Sequence, residues 1–227
     1  MTNNVGLLGG TFNPVQIGHL RHAIEVAEAL DLEKVLLTPA AVPPHKPGYG
    51  LLPFNLRLEM LRAATAGSPR LGVNDLEARL DGPSYTCSTL AMWNQLHPDL
   101  ARPFFLLGVE DFDLLDTWRD WQTLPELANF VVVSRAGSDE SIFRRSVTKL
   151  WPQCRIRTKK HSDLEIKIAT LPGNREIIYF SVPRLDISSS LVRQRWLAGR
   201  DINGLMPKSA LNILEAHREL VNRTWRT

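Results

Sequence analysis

Short apolar runs alternate with longer helical stretches along most of the chain. Residues 5–8, 34–38, 104–107, 130–134 and 177–182 are largely apolar on consecutive positions, as strands covered on both faces are. Between them, residues 17–30, 55–66 and 86–97 read as helices, and in the first Leu20, Ile24, Ala27 and Leu30 fall on one stripe. Residues 188–197 and 209–221 read as a closing pair of helices, forming a small helical part from about residue 186 to 227. This alternation predicts an α/β chain, a doubly wound, mainly parallel sheet in one domain over residues 1–227. The polar stretch 136–173, rich in Arg and Lys and punctuated by Pro152 and Pro172, is expected to be peripheral helix and loop.

Composition narrows the class. A chain of 227 residues, 44% hydrophobic, can bury a sizeable core, since chains of this size bury roughly 70% of their unfolded surface. The net charge of +3 suits an enzyme handling phosphorylated small molecules. Lys and Arg do not interleave with aromatics in one patch, so no nucleic-acid partner is expected. Cys87 and Cys154 form no ligand-spaced cluster, and free thiols are expected rather than a zinc site or disulfide. The N-terminus lacks the basic and apolar regions of a signal peptide. No apolar stretch reaches the roughly 18–20 residues that span a bilayer. A soluble, cytoplasmic protein without membrane contact is expected, and a homo-oligomer is compatible with it.

The candidate chemistry begins at "GGTFNPVQIGHL", residues 9–20. Gly9 and Gly10 are expected just past the end of the first strand, where missing Cβ atoms let a phosphate approach the main chain. Pro14 stiffens the loop, and the amides and positive dipole end of the next helix would face an anion. His19, in the first turn of that helix, is a candidate donor to the same anion. In "ISSSLVRQR", residues 187–195, Ser188, Ser189 and Ser190 are good helix-capping residues whose hydroxyls suit phosphate oxygens. Arg193 follows one turn on with a fixed charge and a fork of donors.

These segments resemble the nucleotidyltransferases related to class I aminoacyl-tRNA synthetases, with their signature G-G-x-F-x-P-x-H-x-G-H. Further segments are similar to the branch that acts on nicotinate mononucleotide: "PPHK" at 43–46, "GPSYTCSTL" at 82–90 and "LLGVEDFDLLDTWRDW" at 106–121. "ISSSLVRQR" resembles the I-S-S-T-x-x-R element of the family. The resemblance implies a Rossmann-like nucleotidyltransferase fold. It also implies transfer of AMP from ATP to nicotinate mononucleotide, giving deamido-NAD and pyrophosphate in NAD biosynthesis. The attacking phosphate is already an anion, so alignment and charge stabilisation can carry catalysis without a general base.

By the same resemblance, Gly9, Gly10, Thr11, Phe12, Gln16 and His19 meet ATP from the first loop. Gly108 and Glu110 meet it from the fourth segment, and Ser188, Ser189, Ser190 and Arg193 hold its outer phosphates. His19, Arg193 and Gln16 are the implied catalytic set. The mononucleotide falls to Lys46, Ser84, Tyr85, Thr86, Trp118 and Arg135, with the pyridine ring stacked on Trp118. Magnesium is expected to arrive with ATP, mostly hydrated, rather than in a protein metal site. His22, His97, His161 and His217 show no ligand spacing and are expected to be chemically idle.

Two positions depart from the family pattern. Gln16 replaces the first histidine of H-x-G-H, keeping a hydrogen-bond donor and losing a charge. Glu110 replaces the aspartate of a G-A-D element, with Asp111 beside it. The alternatives are a phosphopantetheine adenylyltransferase-like enzyme, or a degenerate ATP-binding protein without activity.

Overall fold

In the computed structural model, which describes residues 4–44, 50–134, 139–161, 164–173 and 175–226, a single sheet runs through the molecule. Its strands are β1 (Val5–Gly10), β2 (Lys34–Pro39), β3 (Leu71–Val73), β4 (Phe104–Gly108), β5 (Asn129–Ser134), β6 (Arg155–His161), β7 (Leu164–Leu171) and β8 (Arg175–Ser181). They lie in the order β3-β2-β1-β4-β5-β8-β7-β6. The pairs from β3 through β8 are parallel, and β7 runs antiparallel to both β8 and β6. The helices are α1 (Ile17–Ala29), α2 (Phe54–Thr65), α3 (Thr86–Leu96), α4 (Val109–Asp113), α5 (Leu124–Leu127), α6 (Glu140–Leu150), α7 (Ser189–Leu197), α8 (Lys208–Ala216) and α9 (Arg218–Trp225).

Consecutive apolar residues in the strands serve two cores. In β1, Leu8 packs with α1, α2 and the closing helices, while Leu7 packs with the α3–α6 face. In β5, Val131 and Val133 face the first core, and Phe130 and Val132 the second. Successive strand residues point to opposite faces, so a strand covered twice must be apolar at every step. Each large side chain so buried contributes about 1.5–3 kcal/mol. The closing helices are part of this arrangement, because Val192, Trp196, Leu211, Leu214 and Val221 join the core of α1 and α2.

The expected doubly wound architecture is present, with corrections at its margins. Gly9 and Gly10 are the last two residues of β1, opposite Thr38 and Pro39 of β2, rather than lying beyond the strand. The stretch 136–173 holds, besides α6, two strands: β6 and β7 extend the sheet. The predicted last helix is two, α8 and α9, broken at His217. No helix of the described residues is long and apolar enough to cross a membrane.

From β1 the chain winds outward through β2 to β3 and then returns to β4 on β1's other side. Such a reversal of strand order opens a crevice at the carboxyl ends of the strands.

Candidate active site

A cavity of about 480 Å³ occupies that crevice. One part of its wall is Gly9, Gly10 and Thr11 at the end of β1, with His19 from α1. Gly108 at the end of β4 and Glu110 in α4 form a second part, and Ser84, Tyr85, Thr86 and Trp118 a third. Ten of the residues singled out in the sequence thus share one wall, drawn from segments far apart in the chain.

Gly10 is tightly held. A Cβ there would lie 3.0 Å from the ring of Phe12, whose own φ is +48°. Phe12 itself is buried and meets the His19 ring edge-on, with centroids 5.0 Å apart, so it backs the histidine from behind the wall. The backbone N–H of Gln16 donates to Nδ1 of His19 at 3.1 Å. With Nδ1 accepting, the neutral ring carries its proton on Nε2.

Gln16 stands apart from the cavity. Its side chain is 1% exposed and caps α1, its Oε1 accepting from the N–H of Gly18. A Cβ at position 18 would lie 2.7 Å from that oxygen, so the cap needs a glycine there. The amide faces the helix end rather than the cavity wall.

The start of α7 also lies outside the cavity wall and docks onto the same loop. Ser189 Oγ donates to the carbonyl of Pro14 at 2.8 Å, and Arg193 donates to the carbonyl of Asn13 at 2.8 Å. Arg193 further donates to Ser190 Oγ at 3.0 Å, and Ser188 caps α7 by accepting from Leu191 N–H. Partial burial lowers the pKa of Arg193 below its ordinary value. Ser188 and Ser190 remain exposed. Lys46 and Arg135 lie outside the described residues.

Several wall residues were not singled out in the sequence. His22, expected to be idle, lines the cavity three residues after His19, and that interval puts both on one side of α1. Arg119 also lines it, its guanidinium 4.8 Å from the centre of the Tyr85 ring. Glu77 lines it while only 6% exposed. Burial raises the pKa of Glu77, against hydrogen bonds from Ser84, Thr89 and the Ala41 N–H and the charge of Arg57. Arg57 is 1% exposed and donates to the carbonyls of Thr11 and Leu52 at 2.8 and 2.9 Å. Burial lowers its pKa to about 10, with the charge of Glu77 acting the other way. Nothing in "NLRLEM" or "LEARLD" separates these two from solvated surface charges.

The arrangement suits two anionic ligands meeting end to end. Glycines and His19 offer donors on one side, and aromatics with the first turn of α3 offer a ring site on the other. The start of α1, expected to face an anion, has its amides taken: Ile17 N–H by the Leu205 carbonyl, Gly18 N–H by Gln16 Oε1 and His19 N–H by the Gln16 carbonyl. Among the described residues, no group of three or more His, Cys, Asp or Glu side chains could hold a metal ion.

The cytidylyltransferase-like family model matches residues 7–195. The "Probable nicotinate-nucleotide adenylyltransferase" of Maridesulfovibrio salexigens is 35% identical over 222 residues, covering 98% of this chain and 99% of the relative. The protein of the same name from Syntrophotalea carbinolica is 37% identical, covering 94% and 95%. In fold, the chain is similar to Plasmodium falciparum nicotinic acid mononucleotide adenylyltransferase complexed with NaAD, with a TM-score of 0.70 at 18% identity. That match covers 96% of this chain and 97% of the other.

Proposed function

The chain belongs to the cytidylyltransferase-like family as one of its nicotinate-nucleotide adenylyltransferases, and on that premise we propose how its cavity works. The reaction moves AMP from ATP to nicotinate mononucleotide, giving deamido-NAD and pyrophosphate. A 5′-phosphate oxygen of the mononucleotide attacks the α-phosphorus of ATP. The bond from that phosphorus to the bridging oxygen breaks, and pyrophosphate leaves with the electron pair. The nucleophile arrives ionised, so no side chain has to remove a proton.

Two anions must be brought together, and charge must be stabilised as it develops on the transferring group. The α-phosphate lies over Gly9 and Gly10, and Nε2–H of His19 donates to one of its oxygens. Gln16 serves this step through His19, by capping α1 and holding Nδ1. Ser188, Ser190 and Arg193 meet the outer phosphates, a role supported by the docking of α7 onto Asn13 and Pro14. Glu110 and Asp111 face the nucleoside part of ATP from the wall. ATP enters as its magnesium complex, the cation travelling with the phosphates.

On the other side the pyridine ring stacks on Trp118. Its carboxylate accepts from the first-turn amides of α3, which have no partner within the helix. Arg119 adds a positive charge near Tyr85 and favours a carboxylate over a carboxamide there. Lys46 and Arg135 are proposed partners of the mononucleotide phosphate.

The observation that carries this reading is the shared wall, which sets His19 and Gly9–Thr11 in one cavity with Tyr85, Thr86 and Trp118. ATP labelled in its α-phosphate, incubated with nicotinate mononucleotide, should yield a labelled dinucleotide. Label that stays in ATP, or appears only as AMP, would overturn the reading.

A further inference from the structure

The buried carboxylate of Glu77 is used by no step above, although it stands in the cavity wall. It sits in the short turn Leu76–Arg79, which follows β3 on the way to α3. Three donors converge on it from separate segments. Thr89 of α3 donates from Oγ1 at 2.9 Å, the Ala41 N–H donates at 3.3 Å, and the Ser84 hydroxyl donates as well.

The hydroxyl directions follow from the neighbours. Ser84 Oγ accepts from the Val42 N–H at 3.0 Å, which leaves its own proton for Glu77. Thr89 Oγ1 lies closer to Glu77 than to the Tyr85 carbonyl, at 2.9 against 3.2 Å, and an ionised acceptor is the stronger of the two. The Ser84 N–H in turn donates to the Val42 carbonyl at 2.8 Å. The carboxylate thereby ties residues 40–44 to residues 84–86 and to α3.

Those are the segments that face the mononucleotide. Ala40, Pro43 and Pro44 line the cavity from one side of the tie, and Ser84, Tyr85 and Thr86 from the other. An ionised group removed from water is costly unless donors surround it. Here the donors are the ligand wall itself.

We propose that Glu77 is a positioning residue for the mononucleotide: its carboxylate holds residues 40–44 and the start of α3 at the separation the pyridine nucleotide requires. The inference rests on the reading of the cavity as the adenylyltransferase site. Glu77 acts through these segments, and its link to the ATP side is the indirect one through the charge of Arg57, which holds the Thr11 carbonyl.

Glu77→Gln keeps the shape but replaces one acceptor oxygen with a donor, facing a hydroxyl or amide that also donates. The KM for nicotinate mononucleotide should rise by about tenfold, the effect of one lost charge-assisted hydrogen bond. The kcat and the KM for ATP should stay within about twofold, since neither depends on this tie. Thr89→Val removes one donor, should raise the same KM by about threefold, and tests the idea if the first variant folds poorly. The double variant should be no worse than Glu77→Gln alone, because the residues share one interaction. Calorimetric titration with nicotinate mononucleotide should show the same weakening without turnover. An unchanged mononucleotide KM in both variants would overturn the proposal, as would equal changes in both KM values. Wild-type enzyme that fails to use nicotinate mononucleotide at all would instead overturn the assignment of the cavity.

Discussion

The backbone N–H of Gln16 donates to Nδ1 of His19 at 3.1 Å, while the Gln16 side chain turns back to cap α1. The two residues therefore divide their work: His19 reaches the cavity and Gln16 holds it there. His19→Ala should lower kcat and kcat/KM for ATP by similar factors, on the order of a hundredfold, as loss of one transition-state donor does. Gln16→Ala should instead cost about 1 kcal/mol of stability through the lost cap. In a chain of this size that lowers Tm by about 2–4 °C. Scanning calorimetry beside steady-state kinetics separates the two. A Gln16→Ala protein with normal Tm and the kinetic defect of His19→Ala would return the amide to the phosphates.

Trp118 lines the cavity and meets Phe105 edge-on, with centroids 6.3 Å apart and planes at 84°. Phe105 holds the indole in the cavity wall, where the pyridine ring is proposed to stack. Trp118→Ala should raise the KM for nicotinate mononucleotide by up to about tenfold, from a stacking energy of about 0.5–1.5 kcal/mol. The KM for ATP should barely move. Equal changes in both would make Trp118 a packing residue.

Arg119 is 61% exposed and shares its charge with Asp120 at 3.6 Å, so its effect is modest. Exposed charge pairs contribute about 0.2–1 kcal/mol. Arg119→Ala should lower the preference for nicotinate over nicotinamide mononucleotide by up to about fivefold. The remaining preference should depend less on salt than that of the wild type. A ratio of kcat/KM values unchanged at low salt would remove Arg119 from the carboxylate site.

Glu77 gives stability a pH dependence. A carboxyl whose pKa is higher in the folded state supports folding below its unfolded pKa and loses that support as pH rises through the folded value. Burial raises Glu77 above the ordinary 4.5. Glu77→Gln carries no charge at any pH, so its stability relative to wild type should improve as pH rises from about 4.5, where the unfolded carboxyl ionises first. Paired denaturant titrations across that range measure the difference. A flat difference, or one of opposite slope, would contradict the raised pKa.

Most of the parallel part of the sheet was legible because β1, β2, β4, β5 and β8 are apolar on consecutive positions; β3, three residues long, carries too short a pattern to be seen. The β6–β7 pair was not legible either. In β7, Leu164, Ile166 and Ile168 alternate with Glu165 and Lys167, a half-buried strand's signature, but it sits among polar residues. In β6, "RIRTKKH" is almost wholly exposed, and its charges suit the edge position it holds among the described strands rather than marking a recognisable strand. Residues 9–11 were singled out by their glycines and residues 84–86 by resemblance to the family, and both segments line the cavity. Glu77 and Arg57 were hidden, since burial of a charge is decided by tertiary contacts that no local pattern carries. The burial of Gln16 was hidden likewise: its place in the motif suggests a ligand contact, while its side chain caps α1.

Pyrophosphate release tests the central claim most directly. Purified protein with magnesium and ATP should release pyrophosphate only when an acceptor is added, with the highest kcat/KM for nicotinate mononucleotide. Nicotinamide mononucleotide should serve less well, and phosphopantetheine not at all. Release with phosphopantetheine alone, or tight ATP binding without pyrophosphate from any of the three, would contradict the account.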